Sequence, residues 1–253
     1  MRFPKFLKKI TPSPIYAACR WAYIRFIELS TPNTISPIPK ARLKDFTFTG
    51  RFQFFHTAAI YLKSNEIDGV YLEFGCDQAN TFRMALNTLG RSELISHFFA
   101  FDSFQGMPDA SGIDKQSHWT KVDLSTSETA FREICKMDMH RITMVPGFYE
   151  QSLPEYSLPS DQSVAMAYVD CDFYSSTVSC LGFLEKHLRH GMILAFDDWD
   201  LYFADNKRGQ RKAFAEFASR NAGRYHFEPF HRLLTGGNSF IVHEREKIGE
   251  VSE

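Results

Sequence analysis

Little in this sequence assigns it at first sight, and what is missing narrows the field. The five cysteines form no C-x-x-C pair and do not cluster with histidine, so no zinc site is readable. An odd cysteine count in 253 residues argues against a disulfide framework. Cys19, Cys76, Cys135, Cys171 and Cys180 read as small buried residues of a reducing, cytoplasmic protein. The formal charge is only −1, which removes any global argument for binding nucleic acid by counterion release. The loop Glu73-Phe74-Gly75-Cys76-Asp77-Gln78-Ala79-Asn80 lacks the G-x-G-x-x-G fingerprint, which counts against a nicotinamide dehydrogenase. No internal repeat stands out.

The amino terminus is also short of what a signal peptide needs. MRFPKFLKKITPSPIYAACRWAYIRFIELS is basic and aromatic, but Pro4, Pro12 and Pro14 interrupt it, and no unbroken apolar core precedes a small-residue cleavage site. From Ile15 to Leu29 the pattern is helical, short for a bilayer span, and carries Arg20 and Arg25. An interfacial or lid helix fits it better. Docking on an anionic membrane surface, gating of an acceptor pocket and a homo-oligomer contact stay open for residues 1–30. Residues 31–50, with their Pro and Thr, read as an extended connection. The expected organisation is a helical extension and linker over 1–50, one main domain over 51–245 and a tail over 246–253.

What is present is an alternation of short apolar runs with helical patterns, in a chain 44% apolar and 23% charged. That alternation predicts an α/β domain, a mostly parallel sheet with helices on both faces. Strands are expected at Gly69–Gly75, His97–Asp102, Ile142–Val145, Val164–Val169 and Met192–Phe196. Helices are expected from the first strand to Leu89, from a capping box at Ser125 and Glu128 to about Met137, from Ser175 to His190, and over Gln210–Asn221. Tyr225–Pro229 and Ser239–Val242, turned at Gly236-Gly237-Asn238, complete the pattern as an antiparallel pair.

The strands end in acids. Glu73 closes the first, Asp102 the second, Asp170 the fourth, and Asp197-Asp198 the fifth. Ligands of open parallel sheets bind beyond the carboxyl ends of the strands, where strand order reverses. Carboxylates gathered there repel one another unless hydrogen bonds or a cation offset the charge. An all-oxygen set favours a hard cation, Mg²⁺ before Mn²⁺ or Ca²⁺. Each acid has a plainer reading as well: Asp197 and Asp198 as strand-end or capping residues, and Asp102 as a turn residue before Ser103 rather than an acceptor for ribose hydroxyls.

Taken together, EFG at 73–75, FDSFQGMP at 101–108, PGFYEQSLP at 146–154, YVDCDFYSST at 168–177 and FDDW at 196–199 resemble the successive motifs of the macrocin O-methyltransferase family. The resemblance covers about residues 69–200. It implies a Rossmann-like class I methyltransferase fold of seven strands with an antiparallel edge, S-adenosyl-L-methionine as methyl donor, a Mg²⁺ or Mn²⁺ ion, and O-methylation of a sugar hydroxyl on a small-molecule glycoside or glycan. By position it matches Asp170, Asp197 and Asp198 to the metal. Glu73, Phe74, Gly75, Gly147 and Asp170 are matched to the donor site, and Asp102 with Ser103 to the ribose turn. Two departures stand out: the donor loop has no second glycine, and Trp199 stands where tyrosine is more usual.

Methyl transfer needs the acceptor oxygen in line with the sulfonium methyl and losing its proton as the bond forms. A general base contributes roughly 10²–10⁴-fold. Asp172 and then His118 are the candidates, His118 also reading as a solvated loop residue. Trp119, Phe148, Tyr149 and Tyr174 either stack on a sugar or pack in the core. Arg208 and Arg211 either bind an acidic acceptor group or sit at a solvated helix start. Two rival functions remain: a metal-dependent glycosyltransferase built on the Asp170-Cys171-Asp172 triplet, and a non-catalytic ligand-binding protein.

Overall fold

The computed structural model describes residues 46–91, 94–116 and 126–248, together with Cys19 and Ala22. The chain divides into two units, 1–35 and 36–253, and the second carries every element below. Of the helix expected over Ile15–Leu29, only Cys19 and Ala22 are described; both are helical and exposed. His118, Trp119 and Ser125 lie outside the described residues.

The elements alternate as the apolar pattern predicts: α1 (Phe46–Ser64), β1 (Gly69–Phe74), α2 (Asn80–Thr88), β2 (Ile95–Asp102), α3 (Glu128–Ile134), β3 (Ile142–Pro146), α4 (Tyr149–Glu155), β4 (Val164–Val169), α5 (Tyr174–Glu185), β5 (Ile193–Phe196), α6 (Gly209–Asn221), β6 (Tyr225–Arg232), β7 (Asn238–Glu244) and α7 (Arg245–Ile248). The seven strands are ordered β3-β2-β1-β4-β5-β7-β6. Strands β1 to β5 are parallel, and β7 runs antiparallel to both β5 and β6. After β3 the chain crosses to the far side of β1, so strand order reverses between β1 and β4.

Both faces of the sheet are covered. Val70, Leu72 and Phe74 of β1 join Phe183 and Leu184 of α5 and Phe217 of α6 in one apolar cluster. Tyr71, on the other side of the pleat, meets Phe55 of α1 and Phe82 of α2 at ring separations of 6.1 and 6.0 Å. Strand β4 is buried along its whole length, as a central parallel strand must be. Among the described residues no helix is long and apolar enough to cross a membrane.

Several local expectations are corrected. Residues 46–50, expected in an extended connection, begin α1, because Phe54, Phe55, Ala58 and Leu62 place one buried stripe against the sheet. The cap of α3 is Ser127, whose hydroxyl accepts from the Ala130 amide at 3.2 Å, and the helix stops at Ile134 rather than near Met137. Helix α5 ends at Glu185 instead of His190: Leu188 is still buried and keeps the apolar rhythm, but its carbonyl accepts from the Tyr225 hydroxyl rather than continuing a helix. Helix α4, within the PGFYEQSLP segment, was not anticipated.

Candidate active site

The reversal between β1 and β4 brings two backbones together. Gly75 follows β1 with φ +93°, and its amide donates to the Phe101 carbonyl at 2.9 Å. A Cβ at this position would stand 1.7 Å from the Asp170 carbonyl oxygen, so only glycine lets the β1 and β4 loops cross. The donor loop makes its left-handed turn without a second glycine, at Gln78 and Ala79, both with φ +51°. Thr126 ties it down: its hydroxyl accepts from the Gln78 amide at 2.8 Å and donates to Asp77 at 2.9 Å.

A cavity of about 280 Å³ opens at the carboxyl ends of the strands. Of the expected site residues, Gly75, Asp102, Ser103, Gly147, Asp170, Asp172, Asp197 and Asp198 line it. Glu73 and Phe74 do not. Phe74 is a fully buried core residue stacked on Phe101 at 4.7 Å. Glu73 is fully buried on the α1 face, where it accepts from the Tyr71 hydroxyl. Burial pushes its carboxyl well above the ordinary carboxylate range, outweighing the Tyr71 hydrogen bond.

Asp102 accepts at both carboxylate oxygens, from the amides of Cys76 and Phe104, each at 2.7 Å. It thus pins the donor loop to the end of β2 while still facing the cavity. Burial nonetheless raises its pKa, with those two hydrogen bonds acting the other way.

One oxygen each of Asp170, Asp197 and Asp198 lie within 4.8 Å of one another. Burial, then the charges of Asp197 and Asp198, push Asp170 well above the ordinary range; burial, then Asp172 and Asp197, do the same to Asp198. Asp172 adopts φ +53°, and its amide donates to Asp198 Oδ2 at 2.9 Å. An all-carboxylate set of this spacing, crowded with like charge, suits a hard divalent cation.

Three residues that build this site escaped the sequence reading. Arg51 reaches from α1 to Asp197, donating from Nε to Oδ1 at 2.8 Å and from Nη2 to Oδ2. Burial opposes its charge, but the Asp197 hydrogen bond and charge outweigh burial and raise its pKa. Gln210 of α6 accepts from the Asp198 amide at 2.9 Å and donates to the Val169 carbonyl at 3.0 Å, locking the β4 and β5 ends together. Asp114 caps α5 from 60 residues away, accepting from the Tyr174 and Ser175 amides at 2.8 and 3.2 Å. A lone cation beside the aromatic run Phe52–Phe55 was the one available signal for Arg51; the other two carried none.

The aromatic and basic candidates separate cleanly. Phe148 and Tyr149 line the cavity, Tyr149 also donating to the Phe101 carbonyl at 3.3 Å. Tyr174 is not part of the cavity wall; it donates to Glu216 at 2.7 Å beneath the Lys212 ammonium. Trp199 packs in the core beside Phe196, Phe214 and Phe240. Arg211 lies against the Trp199 ring and pairs with Asp200 at 2.6 Å, a structural role, and Arg208 faces Asp205 at 3.6 Å.

A 3-2-1-4-5-7-6 sheet with an antiparallel seventh strand and an acid-rimmed cavity over its carboxyl ends is the architecture of the class I S-adenosylmethionine-dependent methyltransferases. The family model described as macrocin-O-methyltransferase (TylF) matches residues 42–222, and the chain belongs to that family of O-methyltransferases. Among solved structures the chain is similar to the O-methyltransferase NovP, at 17% identity over 78% of this chain and 80% of that one, with a TM-score of 0.57. It is also similar to the calicheamicin methyltransferase CalS11, at 20% identity over 85% and 90%, with a TM-score of 0.59. These likenesses show the shared fold. No curated protein matches the sequence. Family membership sets aside the glycosyltransferase and non-catalytic alternatives.

Proposed function

We propose that this enzyme methylates a sugar hydroxyl of a small-molecule glycoside or glycan unit, aided by Mg²⁺ or Mn²⁺ held by Asp170, Asp197 and Asp198. The carrying observation is the approach of those three carboxylates within 4.8 Å on the wall of the donor cavity. The sugar class follows the family resemblance. It also follows the apo CalS11 structure, described as a TDP-rhamnose 3'-O-methyltransferase, similar at 20% identity over 85% of this chain and 91% of that one, with a TM-score of 0.55. Homo-oligomer formation, a cytoplasmic location and a lid or membrane-surface role for residues 1–30 complete the proposal. Those three rest on composition alone.

When bound, the donor supplies an electrophilic methyl and the cation a Lewis acid for the acceptor hydroxyl. The chain's residues supply position and proton handling. Gly75 and Gly147 leave backbone exposed where the donor must approach, and Asp102 has lone pairs left for ribose hydroxyls after serving Cys76 and Phe104. Asp172, held by the turn that directs its amide to Asp198, takes the acceptor proton at a carboxylate oxygen. His118 is the second candidate base. Formation of S-adenosylhomocysteine with a panel of glycosides, free sugars and phenols tests the reading. Turnover on sugars should vanish with chelator and return with Mg²⁺ or Mn²⁺. Turnover indifferent to chelator would remove the cation, and turnover on phenols alone would remove the sugar.

A further inference from the structure

We propose that Arg51 is a built-in cation of the carboxylate site, which a divalent ion must displace from Asp197, so that this one side chain sets the metal affinity. The inference rests on the metal reading above. Asp197 is the only one of the three carboxylates bonded to a cationic side chain among the described residues. Arg51 grips it with two donors, one to each oxygen, and the Tyr168 hydroxyl donates to Oδ1 as well. A carboxylate offers about four lone-pair positions. Both at Oδ1 and one at Oδ2 are thereby taken. The position left on Oδ2 lies against a guanidinium, where a dication would meet like charge at close range.

The arrangement differs at Asp198. Asp198 Oδ2 receives neutral donors only, the Asp172 amide at 2.9 Å and the Gln210 amide at 3.3 Å, which orient it without opposing a cation. Arg51 therefore does two things. Without metal it holds Asp197 beside two like charges by a forked pair that lysine cannot reproduce. With metal it competes for the same oxygens, and its helix, α1, lies outside the strand ends that carry the carboxylates, so withdrawal leaves the other ligands in place.

The test measures Mn²⁺ binding to the full-length protein without donor or acceptor, by electron paramagnetic resonance and calorimetry, on wild type, R51Q, R51K and D170N/D198N. R51Q should bind Mn²⁺ tighter by on the order of tenfold to a hundredfold, the equivalent of one charge-assisted hydrogen bond released. R51K, which keeps the charge but loses the fork, should fall between R51Q and wild type. Metal-free R51Q should melt below wild type, and Mn²⁺ should raise its midpoint by more than it raises that of wild type. Should R51Q fail to fold, R51K decides. Variants that bind Mn²⁺ no tighter than wild type would overturn the competition while leaving the metal site standing, provided D170N/D198N abolishes binding. Absence of Mn²⁺ binding to wild type and R51Q alike would overturn both.

Discussion

Gly75→Ala puts the strand crossing to the test. The substitution adds one methyl group at φ +93°, aimed at the Asp170 carbonyl oxygen 1.7 Å away and its carbon 2.8 Å away. Neither neighbour is a flexible side-chain tip. Asp170 is held by its amide N–H donating to the Phe74 carbonyl at 2.8 Å, and Gly75 by its own donating to the Phe101 carbonyl at 2.9 Å, so relief requires parting β1 from β4. The left-handed conformation costs about 1–2 kcal/mol for a residue with a Cβ. Overpacking against fixed backbone adds about 1–3 kcal/mol. A loss of roughly 2–5 kcal/mol follows, which for a domain of this size lowers Tm by about 4–20 °C. Gly112→Ala is the control: its φ is +52°, but no atom of the described residues lies within 4 Å of the added methyl, so the conformational cost of about 1–2 kcal/mol is what is expected. Urea unfolding and calorimetric titration with S-adenosylmethionine read both variants. Gly75→Ala should lose most of its donor affinity and Gly112→Ala little. Were Gly75→Ala as stable as Gly112→Ala, with donor binding intact, the crossing would not be what demands glycine.

Two further outcomes follow from the acidic cluster. Gln210→Ala strips partners from the Asp198 amide and carboxylate and from the Val169 carbonyl, so Mn²⁺ affinity should fall by about 10–100-fold, the usual effect of losing an orienting partner behind a metal ligand; unchanged affinity in calorimetry would show that Asp198 holds its position alone. The pH dependence of metal-free stability has a definite sign. Asp170 and Asp198 are raised by burial and by neighbouring carboxylate charge above the ordinary 3.8, so their stabilising share is complete below that value and is lost as pH rises through the raised values. In chelator, wild type should therefore lose stability relative to Asp170→Asn as pH rises over the range above the ordinary carboxylate value. Parallel urea midpoints across that range would contradict the raised pKa of Asp170.

Much of the fold and part of the site could be read without coordinates, and the division has a physical basis. Buried parallel strands must be short apolar runs, and Gly69–Phe74, Val164–Val169 and Ile193–Phe196 are legible for that reason. Acids placed directly after such runs must emerge at the carboxyl edge, so Asp102, Asp170, Asp197 and Asp198 could be placed on one rim from local pattern. Local pattern also misled. Glu73 follows the same rule of position, yet the pleat turns its side chain to the α1 face, and Leu188 keeps a helical rhythm in a segment that has left the helix.

By itself, then, the sequence determined the alternation of elements, the carboxylates at the strand ends and the order of motifs that marks the family. Only the tertiary structure decided how those carboxylates are balanced and oriented. Arg51 lies 146 residues from Asp197, Asp114 lies 60 from Tyr174, and Gln210 acts across two strands. Hydrophobic periodicity reports a residue's own face of its own helix or strand; it is silent on which distant side chain the folded chain brings to the same point, and the charge and aim of this site depend on such encounters.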